Sequence, residues 1–246
     1  MPISSNTLFH FTDNLHNLIS ILTLEFRPRY CLEDFSSIFS APFKIEEIAV
    51  PMVCFCDLPL SQTKEHIKFY GGYGIGMKKK WGVKKGLNPV IYLCQKSCLA
   101  NQFGSLKTDA AISRDPKIGR FLFEIASRAK KYNGKVFRHG KYINKRCYDE
   151  REWRYVPEKM DFSNFALEKK DFLDSDILSK RNRGLSKTFK LSFEPDDIKY
   201  IIVQKERQIL GMINAVEHIK GDKYDSNTVK KLSSRIITSK QISEDF

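Results

Sequence analysis

The sequence holds no run of about 18 apolar residues, and its first basic residue is Arg27, so it offers neither a membrane span nor the charged start of a signal peptide. It has no C-x-x-C pair among six cysteines. Zinc knuckles are thereby excluded, and in a chain without a secretory leader the thiols are expected to stay reduced in the cytoplasm. Cys54 and Cys56 read as small buried hydrophobes, and no metal is expected. Internal repeats, low-complexity tracts and Gly/Ser linkers are also missing, which argues against solenoids and tethered modules. Acid is in short supply. Against 42 Lys and Arg stand 29 Asp and Glu, a net charge of +13, and that balance favours polyanionic partners.

What is present suits one globular domain. At 246 residues with 41% hydrophobic and 12% aromatic content, residues 1–246 can close a single core, with a less regular, polar segment at 157–187. The order of elements is mixed. Thr7–Asp13 (TLFHFTD) reads as a buried strand, and Asp13 is the expected N-cap of a helix to about Glu25, with Leu15, Leu18, Ile19 and Leu22 on one stripe. Residues 31–47 read as a polar loop or short helix. Ile48–Asp57 is a strand that Pro51 places at an edge or limits to Met52 onward. A helix capped by Ser61 stops at Gly71-Gly72, and YGIGM (Tyr73–Met77) is a strand whose glycines permit close approach. Strands are also expected at Pro89–Leu93, Tyr148–Tyr155, Thr188–Phe193 and Lys199–Val203, with helices from Pro116 and Glu206 and a last strand near Arg235–Ile237. Short strands interspersed with helices give an α+β fold.

Two stretches draw attention as chemistry. His10 is a single imidazole among Leu8, Phe9 and Phe11, with Thr12 two residues on and hence on the same strand face. Such a histidine is either a core side chain that has found a hydrogen bond or part of a polar site. Far downstream, YDEREWRY carries Glu150 and Glu152, whose alternation in a strand sends both carboxylates to one face. Arg151 and Arg154 are at hand to neutralise them. Otherwise the pair suits oxocarbenium-like chemistry, in which one carboxylate opposes developing positive charge and the other takes a proton.

FYGGYGIG lacks the strand-then-helix order of a dinucleotide fingerprint, although Tyr70 and Tyr73 beside close-approach glycines offer to sandwich a flat ring. Between Ile125 and Tyr148 lie eight Lys or Arg and no acid. Lys130, Lys131, Lys135, Arg138, Lys141, Lys145 and Arg146 alternate there with Tyr132, Phe137 and Tyr142, a composition that suits phosphates and unstacked bases. A solvated basic loop is the plainer reading. The turn KKKWGVKKG extends the same charge.

Several of these stretches together, namely LFHFT, the segment Phe26–Asp34, PMVCFCDLPL, HIKFYGGYGIGMKK, GLNPVIY and EREWR, resemble the AbiGi-type family of bacterial abortive-infection proteins. The resemblance implies phage defence in the bacterial cytoplasm, and the family is customarily described as the antitoxin half of a two-gene pair. A more distant resemblance is to ADP-ribosyltransferases, since His10, Tyr70 or Tyr73, and Glu152 follow the family's order of ribose-holding histidine, nicotinamide-framing residue and cation-stabilising glutamate. It implies a mixed split sheet with peripheral helices and NAD as substrate, with His10 and Thr12 near the ribose, Tyr70 and Tyr73 at nicotinamide, Glu152 at the cation and Glu150 at the acceptor. That site requires the His10 and Glu152 strands to be neighbours. The competing expectation is a non-catalytic antitoxin that binds a toxin from a neighbouring gene, or its own promoter DNA, through the basic surface.

Overall fold

A computed structural model describes residues 4–36, 47–105, 116–158 and 165–245. Its strands in chain order are β1 (Thr7–Thr12), β2 (Arg29–Asp34), β3 (Glu47–Cys56), β4 (Tyr73–Lys78), β5 (Asn88–Pro89), β6 (Ile91–Leu93), β7 (Ala129–Lys131), β8 (Asn133–Arg138), β9 (Lys141–Arg146), β10 (Glu152–Tyr155), β11 (Leu167–Glu168), β12 (Ile198–Val203) and β13 (Ile236–Thr238). The chain forms two compact units, one of residues 1–27, 54–87 and 190–246 and the other of residues 28–53 and 88–189. Both mix helices and strands.

In the first unit β1 lies antiparallel to β4 along its whole length, from Thr7 opposite Lys78 to Thr12 opposite Tyr73. On its other side Phe9 pairs with Cys56 of β3. Beyond β4 come β12, antiparallel, and β13, parallel to β12, so the sheet is mixed. Alternation divides its side chains cleanly. Phe9, Cys56 and Ile202 meet Leu58 and Ile242 on one face, with Phe11 and Tyr200 against them. Gly74 and Gly76 belong to that face, and a Cβ on either would stand within 3.0 Å of the ring of Phe11 or Phe9, so the close approach the glycines permit is made by the protein's own aromatics.

Local signals shift the expected boundaries. Asn14, not Asp13, caps the first helix, Leu15–Leu24, by accepting from the His16 amide at 2.8 Å. The helix after β3 is Lys64–Tyr70, preceded by a 3-10 turn, and Gly71 ends it at φ 114°. KKKWGVKKG is not a bare turn, since Lys79–Lys84 is helical and Trp81, 3% exposed, donates from Nε1 to the Ser192 carbonyl at 3.0 Å. Its first cation, Lys79, is held by Asp57 at 2.7 Å. Residues 188–193 form no strand, only an isolated bridge between Leu191 and Phe26.

In the second unit β2 and β3 run antiparallel from Arg29 opposite Met52 to Asp34 opposite Glu47, so the residues after Tyr30 are strand rather than loop. Pro51 is buried inside β3. It stands opposite Tyr30 of β2, so the proline neither confines this strand to an edge nor delays its start to Met52. The polar segment after 157 is more regular than its composition suggests. Asp174 caps a helix, Ser175–Thr188, by accepting from the amides of Asp176 and Ile177, and Leu185 enters a core with Tyr30, Ala49 and Leu167. The basic stretch folds into the hairpin β8–β9, closed at His139-Gly140, where both residues have positive φ as a tight hairpin turn requires. No helix among the described residues is long and apolar enough to cross a membrane.

Candidate functional site

The residues expected to form one site are distributed over both units. His10, Thr12, Tyr70 and Tyr73 belong to the first unit, while Glu150, Glu152 and the basic stretch belong to the second. The strand of His10 is flanked by β3 and β4, so β10, which carries Glu152, is not its neighbour.

His10 is a packed side chain. Its ring lies 5.5 Å from that of Phe26 and 5.7 Å from that of Phe55, and Nδ1 is 2.8 Å from the Cys54 carbonyl oxygen. A carbonyl can only accept, so Nδ1 carries the proton and Nε2 is left as the acceptor nitrogen. Burial lowers the pKa, outweighing the carbonyl's pull the other way, and the ring is neutral at neutral pH. Tyr73 shares the His10 face of the sheet, and its hydroxyl accepts from Gln208 Nε2 at 2.8 Å. Tyr70 does not join it. Its ring packs on His66 and Phe69 at 4.7 Å each, in a helix whose His66 and Ile67 cover the Phe9–Phe11 face. The two tyrosines therefore do not form opposite walls of a ring sandwich.

The carboxylates do come together, by a route alternation did not foresee. Cys147–Glu150 is a 3-10 turn and the strand starts only at Glu152, with Arg151 between them in the left-handed region at φ 46°. That reversal turns both side chains onto Lys130, whose Nζ donates to Glu150 Oε2 at 2.7 Å and to Glu152 Oε2 at 3.0 Å. Lys145 adds an ion pair to Glu150 at 2.9 Å. Arg154, with no exposed surface, donates from Nε to Glu152 Oε1 at 2.7 Å and from Nη1 to the Ser127 carbonyl at 3.0 Å, and its Nη2 reaches Glu33 at 3.0 Å. Of the two arginines beside the carboxylates, Arg154 is the partner. Arg151 instead lies over the Tyr148 ring, 4.8 Å from its centroid.

Three carboxylates, Glu33, Glu150 and Glu152, thus meet three cations, Lys130, Lys145 and Arg154. The cluster is neutral and enclosed, with Glu150 2% and Glu152 6% exposed. Burial alone would raise the Glu150 pKa, and Glu152 pushes the same way, but Lys130 and Lys145 hold it at about 2. Nearby, burial pushes the Cys147 thiol up to about 11 against the pull of Lys130, and burial together with the Glu152 charge raises the Tyr92 hydroxyl, which accepts from the Glu152 amide at 2.8 Å. Such a cluster orders β10, β7 and the turn before β10. A carboxylate committed to two or three cations is a poor proton acceptor and leaves little of itself for a substrate.

The basic stretch divides likewise. Lys130 faces inward, and Lys131 is held by Asp34 at 2.6 Å and by Ser36 at 2.7 Å. Arg138 is half-buried, whereas Lys135, Lys141 and Arg146 are exposed on the hairpin. Sequence reasoning missed Glu33 and Tyr92 because nothing local in either stretch marks a partner more than 50 residues away.

The described residues thus form a basic α+β chain whose paired carboxylates face three cations. The family described as "Putative abortive phage resistance protein AbiGi, antitoxin" matches residues 24–204, and the chain belongs to that family. The abortive phage resistance protein AbiGi of Lactococcus lactis subsp. cremoris is 28% identical over 254 residues, covering 91% of this chain and 100% of that protein. No solved structure matches.

Proposed function

We propose that this chain serves abortive phage resistance as an antitoxin, neutralising a toxin from a neighbouring gene by binding it. The observation that carries this reading is the closed ion cluster around Glu150 and Glu152, which gives those residues a structural task. The description of the family as an antitoxin supports it. The basic exterior, +13 overall, supplies the means of recognising a complementary, acidic surface on a partner.

The alternative, a transferase that cleaves NAD with Glu152 at the sugar cation and His10 at a ribose, draws support only from residue order. Against it stand the flanked β1 strand and the burial of Glu152. Co-expression separates the two. The neighbouring gene alone is expected to arrest growth, and this chain to restore it. Glu152→Gln, produced at a temperature where it is folded, is expected to keep protection. Arrest by this chain alone, or loss of protection by a folded Glu152→Gln protein together with loss of NAD consumption, would return the transferase.

A further inference from the structure

The hairpin β8–β9 carries more polar chemistry than the ion cluster uses. Residues 141–144 are exposed without interruption, and the ladder sets Asn133 opposite Arg146 and Lys135 opposite Asn144. Cross-strand partners share a face, so these four side chains line one side of the ribbon. That side bounds an open hollow of about 620 Å³, within the size range of ligand sites. Lys131, Lys135, Lys145 and Arg146 supply its cations. Asp34, the carboxylate among the lining residues, is already held by Lys131.

The remaining cations are not equally committed. The pair between Arg146 and Asp149 is 60% and 52% exposed, so solvent screens it and a phosphate can exchange for the carboxylate. Lys135 stands exposed opposite Asn144. Three carboxamides, Gln95, Asn133 and Asn144, line the same hollow. Each offers a donor and an acceptor side by side, the pattern that base edges match and that a carboxylate, which only accepts, cannot use in full. Among the described residues no large apolar side chain lines it, which disfavours a greasy peptide or an acyl chain. In the same unit, next in sequence to Lys131 and Asn133, Tyr132 stacks on Tyr148 at 5.3 Å, and Tyr148, 38% exposed, carries the Arg151 guanidinium. Bases stack on such aromatic and guanidinium planes.

We propose that this hollow binds single-stranded nucleic acid, with phosphates on Lys135 and Arg146 and base edges on the carboxamides. The inference is separate from the antitoxin reading, because toxin neutralisation can proceed with this hollow empty. The test is fluorescence anisotropy of the full chain with a labelled single-stranded RNA of about 20 nucleotides at about 50 and 200 mM salt. Binding is expected to weaken with salt. Lys135→Ala with Arg146→Ala is expected to lower affinity at least tenfold and to reduce the logarithmic salt slope by about 1.4, since each phosphate contact to a single strand contributes about 0.7. Lys135→Arg with Arg146→Lys is expected to retain binding. Asn133→Ala with Asn144→Ala is expected to keep the slope and alter the ratio of oligoadenylate to oligouridylate affinity. Unchanged circular dichroism qualifies each variant. Absent binding, equal affinity of the double-alanine protein, tighter binding of a duplex, or equal competition by polyglutamate would each overturn the proposal, the last in favour of an acidic protein ligand.

Discussion

Arg154 grips the carboxylate of Glu152, two positions earlier on the same strand, at 2.7 Å and 3.2 Å. Residues i and i+2 of a strand share a face, so the pair needs no special backbone geometry. It matters because Arg154 is wholly buried, and its other donors are used by Ser127 and Glu33. Removing one partner leaves a buried charge uncompensated.

Arg154→Met is therefore expected to destabilise the protein by about 3–5 kcal/mol, and Glu152→Gln by a similar amount. The double variant Glu152→Leu/Arg154→Met, which removes both charges, is expected to lose much less than the sum. Urea unfolding midpoints at neutral pH measure this. Additive losses would show that the two side chains are not coupled.

Acid should unfold the protein partly through Glu150. Its folded pKa of about 2 lies below the ordinary 4.5, so the folded state binds fewer protons than the unfolded state between those values. The stabilisation is full above the ordinary value and is lost as pH falls towards 2, a contribution on the order of 3 kcal/mol. Glu150→Gln should be less stable at neutral pH and show a shallower decline below pH 4.5. Denaturation midpoints across that range test it, and a parallel decline would remove Glu150 as the cause.

His10 has the same sign with a different origin. Burial lowers its pKa below the ordinary 6.5, so its contribution is full above that value and falls as the solution becomes more acid. Nitrogen chemical shifts of the ring should report the neutral, Nδ1-protonated tautomer at pH 6.5. His10→Phe should flatten the pH dependence of stability just below that pH. A ring that titrates normally would show that the Phe26 and Phe55 packing does not enclose it.

Gly71 is predicted to be the most sensitive glycine of the first unit. At φ 114° it ends the Lys64–Tyr70 helix, and a Cβ there would sit 2.3 Å from the Asp13 Cα. Backbone cannot yield as a side-chain tip can, so Gly71→Ala is expected to cost more than about 2 kcal/mol. Gly140→Ala, with positive φ but nothing within 4 Å of the added carbon, should cost only about 1 kcal/mol. Thermal melts of the two variants give the comparison.

Periodicity and composition alone determined the α+β class, the β1, β4 and β12 strands and the Gly71 stop, because alternation, helical stripes and glycine act within a few residues of themselves. They also placed Glu150 and Glu152 together and offered Arg154 as a neutraliser. Short-range rules failed where a long-range partner decided the outcome. Residues 31–34 are strand because β3 lies beside them, and the polar helix Ser175–Thr188 persists because Leu185 has a core to enter. His10 was legible as a core residue or as part of a polar site, and only the tertiary structure shows Phe26, Phe55 and the Cys54 carbonyl packed against it. Whether two buried carboxylates act on a substrate or on their own fold depends on how many cations face them, and Lys130, Lys145 and Arg154 are assembled there only by tertiary structure.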